Sequence, residues 1–87
     1  MADVHLPPTL PKVFADLPRQ LELDADTVEQ AIERLDERWP GLRDRLCEPG
    51  HGLRPHIKAF VDGERAELAT ALEAGSRLDV IAAISGG

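Results

Sequence analysis

One cysteine, three aromatic residues and no tyrosine occur in 87 residues, and each scarcity excludes something. Cys47 alone cannot close an internal disulfide, so the cross-linked framework of small secreted domains is ruled out. With only Phe14, Trp39 and Phe60 as aromatics, a core must be built from Leu, Val, Ile and Ala. The longest apolar run, Val80 to Ile84, is far too short to span a bilayer. Met1 to Leu6 has no basic segment followed by an apolar one, so no signal peptide is expected and the cytoplasm is the default location. Basic residues are outnumbered, with 10 Lys and Arg against 16 Asp and Glu and a net charge of −6, which argues against nucleic acid and anionic membrane as partners. The acidity fits a solvated face first, and docking on a basic surface second. Ser76 and Ser85 are the only serines and neither opens a helix, so an acyl carrier's prosthetic arm has no attachment point. No phosphate-binding glycine loop and no paired carboxylates are present. Nothing in the chain suggests an enzyme in its own right, and no cofactor is expected.

What is present is one globular domain, 43% hydrophobic and 30% charged, spanning residues 1–87. Val4-His5-Leu6 alternates as a short first strand that Pro7-Pro8 cuts off. The stretch Thr9 to Leu17, between prolines, reads as irregular, with Phe14 and Leu17 tucked inward. Gln20 to Asp24 alternates cleanly as a half-buried strand. Asp26 or Thr27 can cap a helix, with Glu29 or Gln30 completing a capping box. Val28, Ala31, Ile32, Leu35 and Trp39 then form a single apolar stripe at i, i+3, i+4, i+7 and i+11, and Pro40-Gly41 ends the helix. Leu42 to Leu46 can add one turn, and Glu48 to Pro55 reads as a loop. Ile57 to Val61 is a strand, Asp62-Gly63 is a strong hairpin signal, and Glu64 to Ala66 returns. Ala69 to Leu72 is expected to form a turn of helix, Ala74-Gly75-Ser76 a tight turn, and Leu78 onward the last strand.

That last strand runs into Ser85-Gly86-Gly87. Most domains finish with a polar, dispensable tail, whereas here the apolar residues continue to Ile84. The strand is expected to hold a short flexible tail, residues 85–87, on a rigid body. Gly86 and Gly87 have no Cβ and can enter a channel too narrow for side chains. Three residues reach about 10 Å at ~3.3–3.6 Å each, so a partner acting on the terminal carboxylate must come right up to the domain. A carboxylate is a poor electrophile, and chemistry there needs activation, most simply as an acyl-adenylate made from ATP. A chance terminal glycine pair has a probability of roughly 0.5%.

In order along the chain, Asp26-Thr27-Val28-Glu29 opening a helix, Leu35 to Leu46 with Trp39-Pro40-Gly41-Leu42, the Ile57 to Asp62 strand with its hairpin, the Ala74 to Leu78 turn and the tail Ala82 to Gly87 resemble the β-grasp, ubiquitin-like sulfur carriers. That group includes the small subunit of molybdopterin synthase (MoaD), the thiamin sulfur carrier (ThiS) and the carrier of cysteine biosynthesis in actinobacteria. The resemblance covers nearly the whole chain. Asp62 stands where the family commonly has Asn, and Ala74-Gly75-Ser76 where it has a more acidic turn. The resemblance implies an α+β fold, a mixed sheet of four to five strands with the first and last parallel at its centre and one main helix across a face. It also implies that a ubiquitin-activating-type adenylating enzyme converts Gly87 to an acyl-adenylate, and that a sulfur donor turns this into a thiocarboxylate. The sulfur then passes to a sulfur-accepting enzyme making molybdopterin, thiamin, cysteine, a modified tRNA base or a secondary metabolite. Gly87 is then the reacting residue and Gly86 the clearance residue. The competing function is a ubiquitin-like modifier joined through Gly87 to lysines of other proteins, and a third is a plain interaction module.

Strand alternation places a second surface. With Val4, Leu6, Ala59, Val61, Leu78 and Val80 facing the helix, His5, Phe60 and Ile81 face the other way and make a candidate docking patch beside the tail. The competing reading is that loop residues such as Leu10 or Phe14 cover them. Cys47, His51 and His56 lack a fourth ligand and structured spacing, so no metal site is assigned. Cys47 reads instead as a small apolar residue at a helix end.

Overall fold

A single amphipathic helix sets the architecture, because its apolar stripe requires a sheet to lie on. The computed structural model describes residues 1–10 and 14–82. Helix α1 is Val28–Arg38, capped by Thr27, whose Oγ1 accepts the Gln30 N–H at 3.1 Å. The Gln30 side chain reaches back to the Asp26 N–H at 2.6 Å, one residue before the cap, so the capping box forms with its second bond shifted by one. Val28, Ile32 and Leu35 are fully buried, which contributes roughly 4.5–9 kcal/mol before conformational entropy. Trp39 is the C-cap and only half-buried, and the Arg38 guanidinium lies 4.7 Å from its ring centre. Gly41, at φ +99°, turns the chain into the short helix α2, Leu42–Leu46. An Arg43–Glu29 ion pair of 3.1 Å ties the two helices together.

The strands are β1 (Ala2–His5), β2 (Gln20–Leu23), β3 (Cys47–Glu48), β4 (Gly52–Leu53), β5 (Ile57–Val61), β6 (Glu64–Ala66) and β7 (Arg77–Ala82). Five of them make one mixed sheet in the order β2-β1-β7-β5-β6. The first and last strands lie side by side and parallel, with Val4 opposite Leu78, while every other pairing in this sheet is antiparallel. Parallel neighbours need a crossover, and α1 with the segment after it supplies one. The β5–β6 hairpin turns at Asp62 (φ 51°) and Gly63 (φ 88°), the two positive-φ positions of a type I′ turn. The expected β-grasp is what forms, with one main helix over a five-stranded sheet.

Two local expectations change. Ala69 to Leu72 forms no helical turn. The chain reverses over Glu67 to Thr70, where the Thr70 N–H donates to the Glu67 carbonyl and the Glu67 N–H to Thr70 Oγ1, and Ala71 then bridges to Thr27. Four residues are too few to repay helix nucleation when the helix start offers a bonding edge instead. Within the stretch read as a loop, β3 and β4 pair, Cys47 with Leu53 and Glu48 with Gly52, with Gly50 and Gly52 at positive φ closing the turn. Leu10 and Leu17 join the core beside Val4, Leu35, Leu42, Leu46 and Leu78. No helix among the described residues is long and apolar enough to cross a membrane.

Candidate functional site

Strand β7 is the middle strand of five and is hydrogen-bonded on both sides, to β1 and to β5. Its last residue, Ala82, is still in register with Ile57. The backbone is therefore held in the sheet through Ala82. Gly86 and Gly87, with Ala83, Ile84 and Ser85, lie outside the described residues.

The pairing registers sort the two faces of the sheet. Val4, Leu78 and Val61 form one row toward the helix, and Val80, Ala59 and Ala66 the next. One residue along, His5, Asp79, Phe60 and Arg65 stand across the open face, with Ile81 opposite Lys58. Ile81 is 46% exposed, whereas His5 and Phe60 are half-buried. His5 and Ile81 meet in a groove of about 320 Å³ that runs beside the end of β7 and is walled by Pro7 and Pro8. Phe60 sits one strand away, on the far side of Asp79 from His5. The wall has no signal of its own in the sequence: Pro7-Pro8 reads there only as a strand terminator, although two rigid rings following a strand are also a ready-made apolar ridge.

Leu10 and Phe14 do not cover this face. Leu10 is buried in the core, and the Phe14 ring lies over Gly41, where a Cβ would stand 3.9 Å from it. That is the helix side of the molecule.

Side-chain contacts tie down Asp3, His5, Arg77 and Asp79 on the open face, while Lys58 and Arg65 have no ion-pair partner among the described residues. His5 Nε2 lies 2.9 Å from Asp3 Oδ2, and Gln20 Nε2 donates to Asp3 Oδ1 at 3.0 Å. The His5 contact, then the Gln20 bond, hold the Asp3 carboxyl below its ordinary pKa. Arg77 Nε donates to both Asp79 oxygens at 3.0–3.1 Å, which raises the arginine further. The Asp3 and Asp79 carboxylates are thereby easier to desolvate than free ones would be. Cys47 is the C-cap of α2 and only 5% exposed, and burial pushes its thiol pKa up despite the nearby Arg43. A protonated, enclosed thiol is a poor nucleophile. His51 and His56 are exposed. Among the described residues, no three His, Cys, Asp or Glu side chains gather as a metal-binding group.

The ThiS family model matches residues 12–87 of this chain. Small archaeal modifier protein 1 of Haloferax volcanii is 34% identical over 84 residues, an alignment covering 87% of this chain and 97% of that protein. A crystal structure of that modifier superposes with a TM-score of 0.75 at 30% identity, covering 99% of this chain and 98% of the other. A chain of the Amycolatopsis orientalis BexX/CysO complex gives a TM-score of 0.87 with both chains covered completely, and CysO of Mycobacterium tuberculosis gives 0.83 over 97% and 100%. At 23% and 22% identity these last two speak to the fold alone. With a profile match across almost the whole chain and a β-grasp in which the last strand is central, the chain belongs to the ThiS family of ubiquitin-like sulfur carriers and protein modifiers.

Proposed function

We propose that the protein is a sulfur carrier whose Gly87 carboxylate is activated and converted to a thiocarboxylate. The observation that supports this best is the position of β7, paired with both β1 and β5 and held through Ala82. Ser85-Gly86-Gly87 follows this strand in the sequence, and the family match runs through Gly87. In the first step a carboxylate oxygen attacks the α-phosphorus of ATP, and pyrophosphate leaves. In the second, hydrosulfide attacks the acyl carbon. A carbon–sulfur bond forms, the carbon–oxygen bond to phosphate breaks, and AMP leaves with the electron pair. Sulfur stays at the sulfide level, so no oxidant or reductant is consumed. A persulfide donor would instead give an acyl disulfide, which a thiol must then reduce. The chain is the substrate in both steps, and the adenylating enzyme supplies nucleotide and acid–base groups. The His5–Ile81 groove, with Phe60 beside it, is the surface on which that enzyme docks.

Incubation with a cognate adenylating enzyme, ATP and sulfide should replace one terminal oxygen by sulfur, seen by intact-protein mass spectrometry. Removal of Gly87 shifts the carboxylate by about 3.3–3.6 Å, out of the ~3–3.5 Å needed for attack, so the product should vanish. Adding one residue should abolish it as well, and Gly86→Val should block the channel, whereas Ser85→Ala should be mild. A parent protein that gains no sulfur under these conditions would overturn the carrier reading.

The relation to an archaeal modifier protein at 34% identity favours a second reading, conjugation through the same activated Gly87 to lysines. The two diverge at the nucleophile, sulfide or a lysine amine. Isopeptide-linked partners accumulating in cells without any thiocarboxylate would establish the modifier. With Lys12 and Lys58 its only lysines, the chain offers two points for self-conjugation, so mostly single attachments are expected.

A further inference from the structure

The net charge of −6 hides a local reversal. Arg45 of α2 and Arg54 and His56 of the segment before β5 line a cleft of about 430 Å³, with Asp44 as its only acidic member. Neither Arg45 nor Arg54 has an ion-pair partner among the described residues, although Arg34, Arg43 and Arg77 do. Arg54 is held in place. Its Nε donates to the Asp44 carbonyl at 2.7 Å, its N–H to the Leu46 carbonyl at 2.9 Å, and its carbonyl accepts the Ile57 N–H at 2.9 Å. Because β5 runs antiparallel to β7, the start of β5 lies at the end of β7, with Ile57 opposite Ala82 and Lys58 opposite Ile81. Arg45, Arg54, His56 and Lys58 therefore gather at the end of the sheet where the tail departs. The acidic Glu33, Asp36 and Glu37 ride on α1 instead.

From these positions we infer that this cationic end is a docking surface for a carboxylate-rich rim on the partner protein that receives the tail. The inference rests on the carrier reading and names the chemistry of its partner. Gly87 lies five residue steps beyond Ala82, a span of at most about 17–18 Å, so whatever handles Gly87 stands close to Arg54 and Lys58. Charges at the edge of a contact mainly raise association rate and fix orientation. An acidic chain with a positive end approaches an acidic rim tail first, and its acidic helix face is turned away by like charge.

Two measurements test this separately. In the first, the intact protein is titrated with hexaglutamate at low salt and followed by amide NMR. Shifts centred on Arg45, Arg54, His56 and Lys58 that disappear at physiological salt, and in Arg45→Glu/Arg54→Glu, are expected. No shifts, or shifts spread equally over Arg19, Arg34 and Arg65, overturn the inference. In the second, the same double reversal should raise KM for the chain in adenylation at least about tenfold at low ionic strength, with kcat unchanged and Arg34→Glu within twofold of the parent. Arg45→Glu/Lys58→Glu should do the same, with far-ultraviolet circular dichroism and melting temperature matching the parent's, so that loss of fold is read separately from loss of docking. An unchanged KM while thiocarboxylate still forms overturns the docking end and leaves the carrier reading intact. A parent that is never adenylated overturns the carrier reading, and the hexaglutamate titration then decides the surface alone.

Discussion

Ile32 sits in the middle of α1 with no exposed surface and is among the largest fully buried side chains. Replacing it in steps tests the packing of helix on sheet. Ile32→Val should cost about 0.5–1.5 kcal/mol and Ile32→Ala about 2–5 kcal/mol, the lost burial plus the cavity left behind. A chain of this length holds about 4–13 kcal/mol in all, at 0.05–0.15 kcal/mol per residue, so the alanine variant loses a large share of its stability. In urea, a loss of about 3 kcal/mol divided by a slope of about 1–3 kcal/mol/M moves the midpoint by about 1–3 M. Ile32→Asp adds an unpaired charge where no partner is available and should leave little folded protein at neutral pH. Its behaviour with pH is a second check. Burial raises the folded-state pKa of the new carboxyl above its unfolded value of about 3.9. The native state then binds more protons, and stability falls as pH rises from the unfolded pKa through the folded one. The gap between variant and parent should therefore narrow toward acid. An alanine midpoint equal to the parent's, or a gap for Ile32→Asp that ignores pH, would refute the burial of this side chain between α1 and the sheet.

Thr27→Ala removes the acceptor for the Gln30 N–H and should cost about 1 kcal/mol; chemical denaturation reads it directly. Phe60→Ala and Ile81→Asp should each weaken binding to the adenylating enzyme, measured by calorimetry, with unchanged far-ultraviolet circular dichroism; unaltered affinity in both would remove the open sheet face as the contact. For Asp3, whose folded pKa is depressed by His5 and then Gln20, the contribution is present above the unfolded carboxylate pKa and is lost as pH falls through the folded one. Asp3→Asn should accordingly flatten the acid limb of the thermal stability profile, and an acid limb identical to the parent's would show the pair to be inert.

Much of the fold is legible in the sequence because its signals are local. Thr27 with Gln30, the stripe from Val28 to Leu35, and Asp62-Gly63 each encode their conformation within a few residues. β3 and β4 do not show, because two-residue strands carry no alternation and their pairing depends on Gly50 and Gly52 taking positive φ. The turn at Ala69 misleads because helix-forming residues there are used by the start of α1 as an edge to bond. Parity alone places His5, Phe60 and Ile81 on one face correctly. What parity cannot show is that His5 and Ile81 share a groove with Pro7 and Pro8 while Phe60 stands a strand away.

The sequence by itself determined the main helix, the longer strands, their apolar faces and the two glycines at its end, since backbone preference and side-chain period are properties of neighbouring residues. Tertiary structure alone decided that β7 lies between β1 and β5, because strand order is set by burying the α1 stripe and not by any local signal. It alone brought Arg45 of a helix together with Arg54 and His56 of a loop at the end of the sheet, and so gave an acidic chain a positive end. Charge adds along a sequence without regard to place, whereas a partner meets only the charges that folding has gathered on one surface.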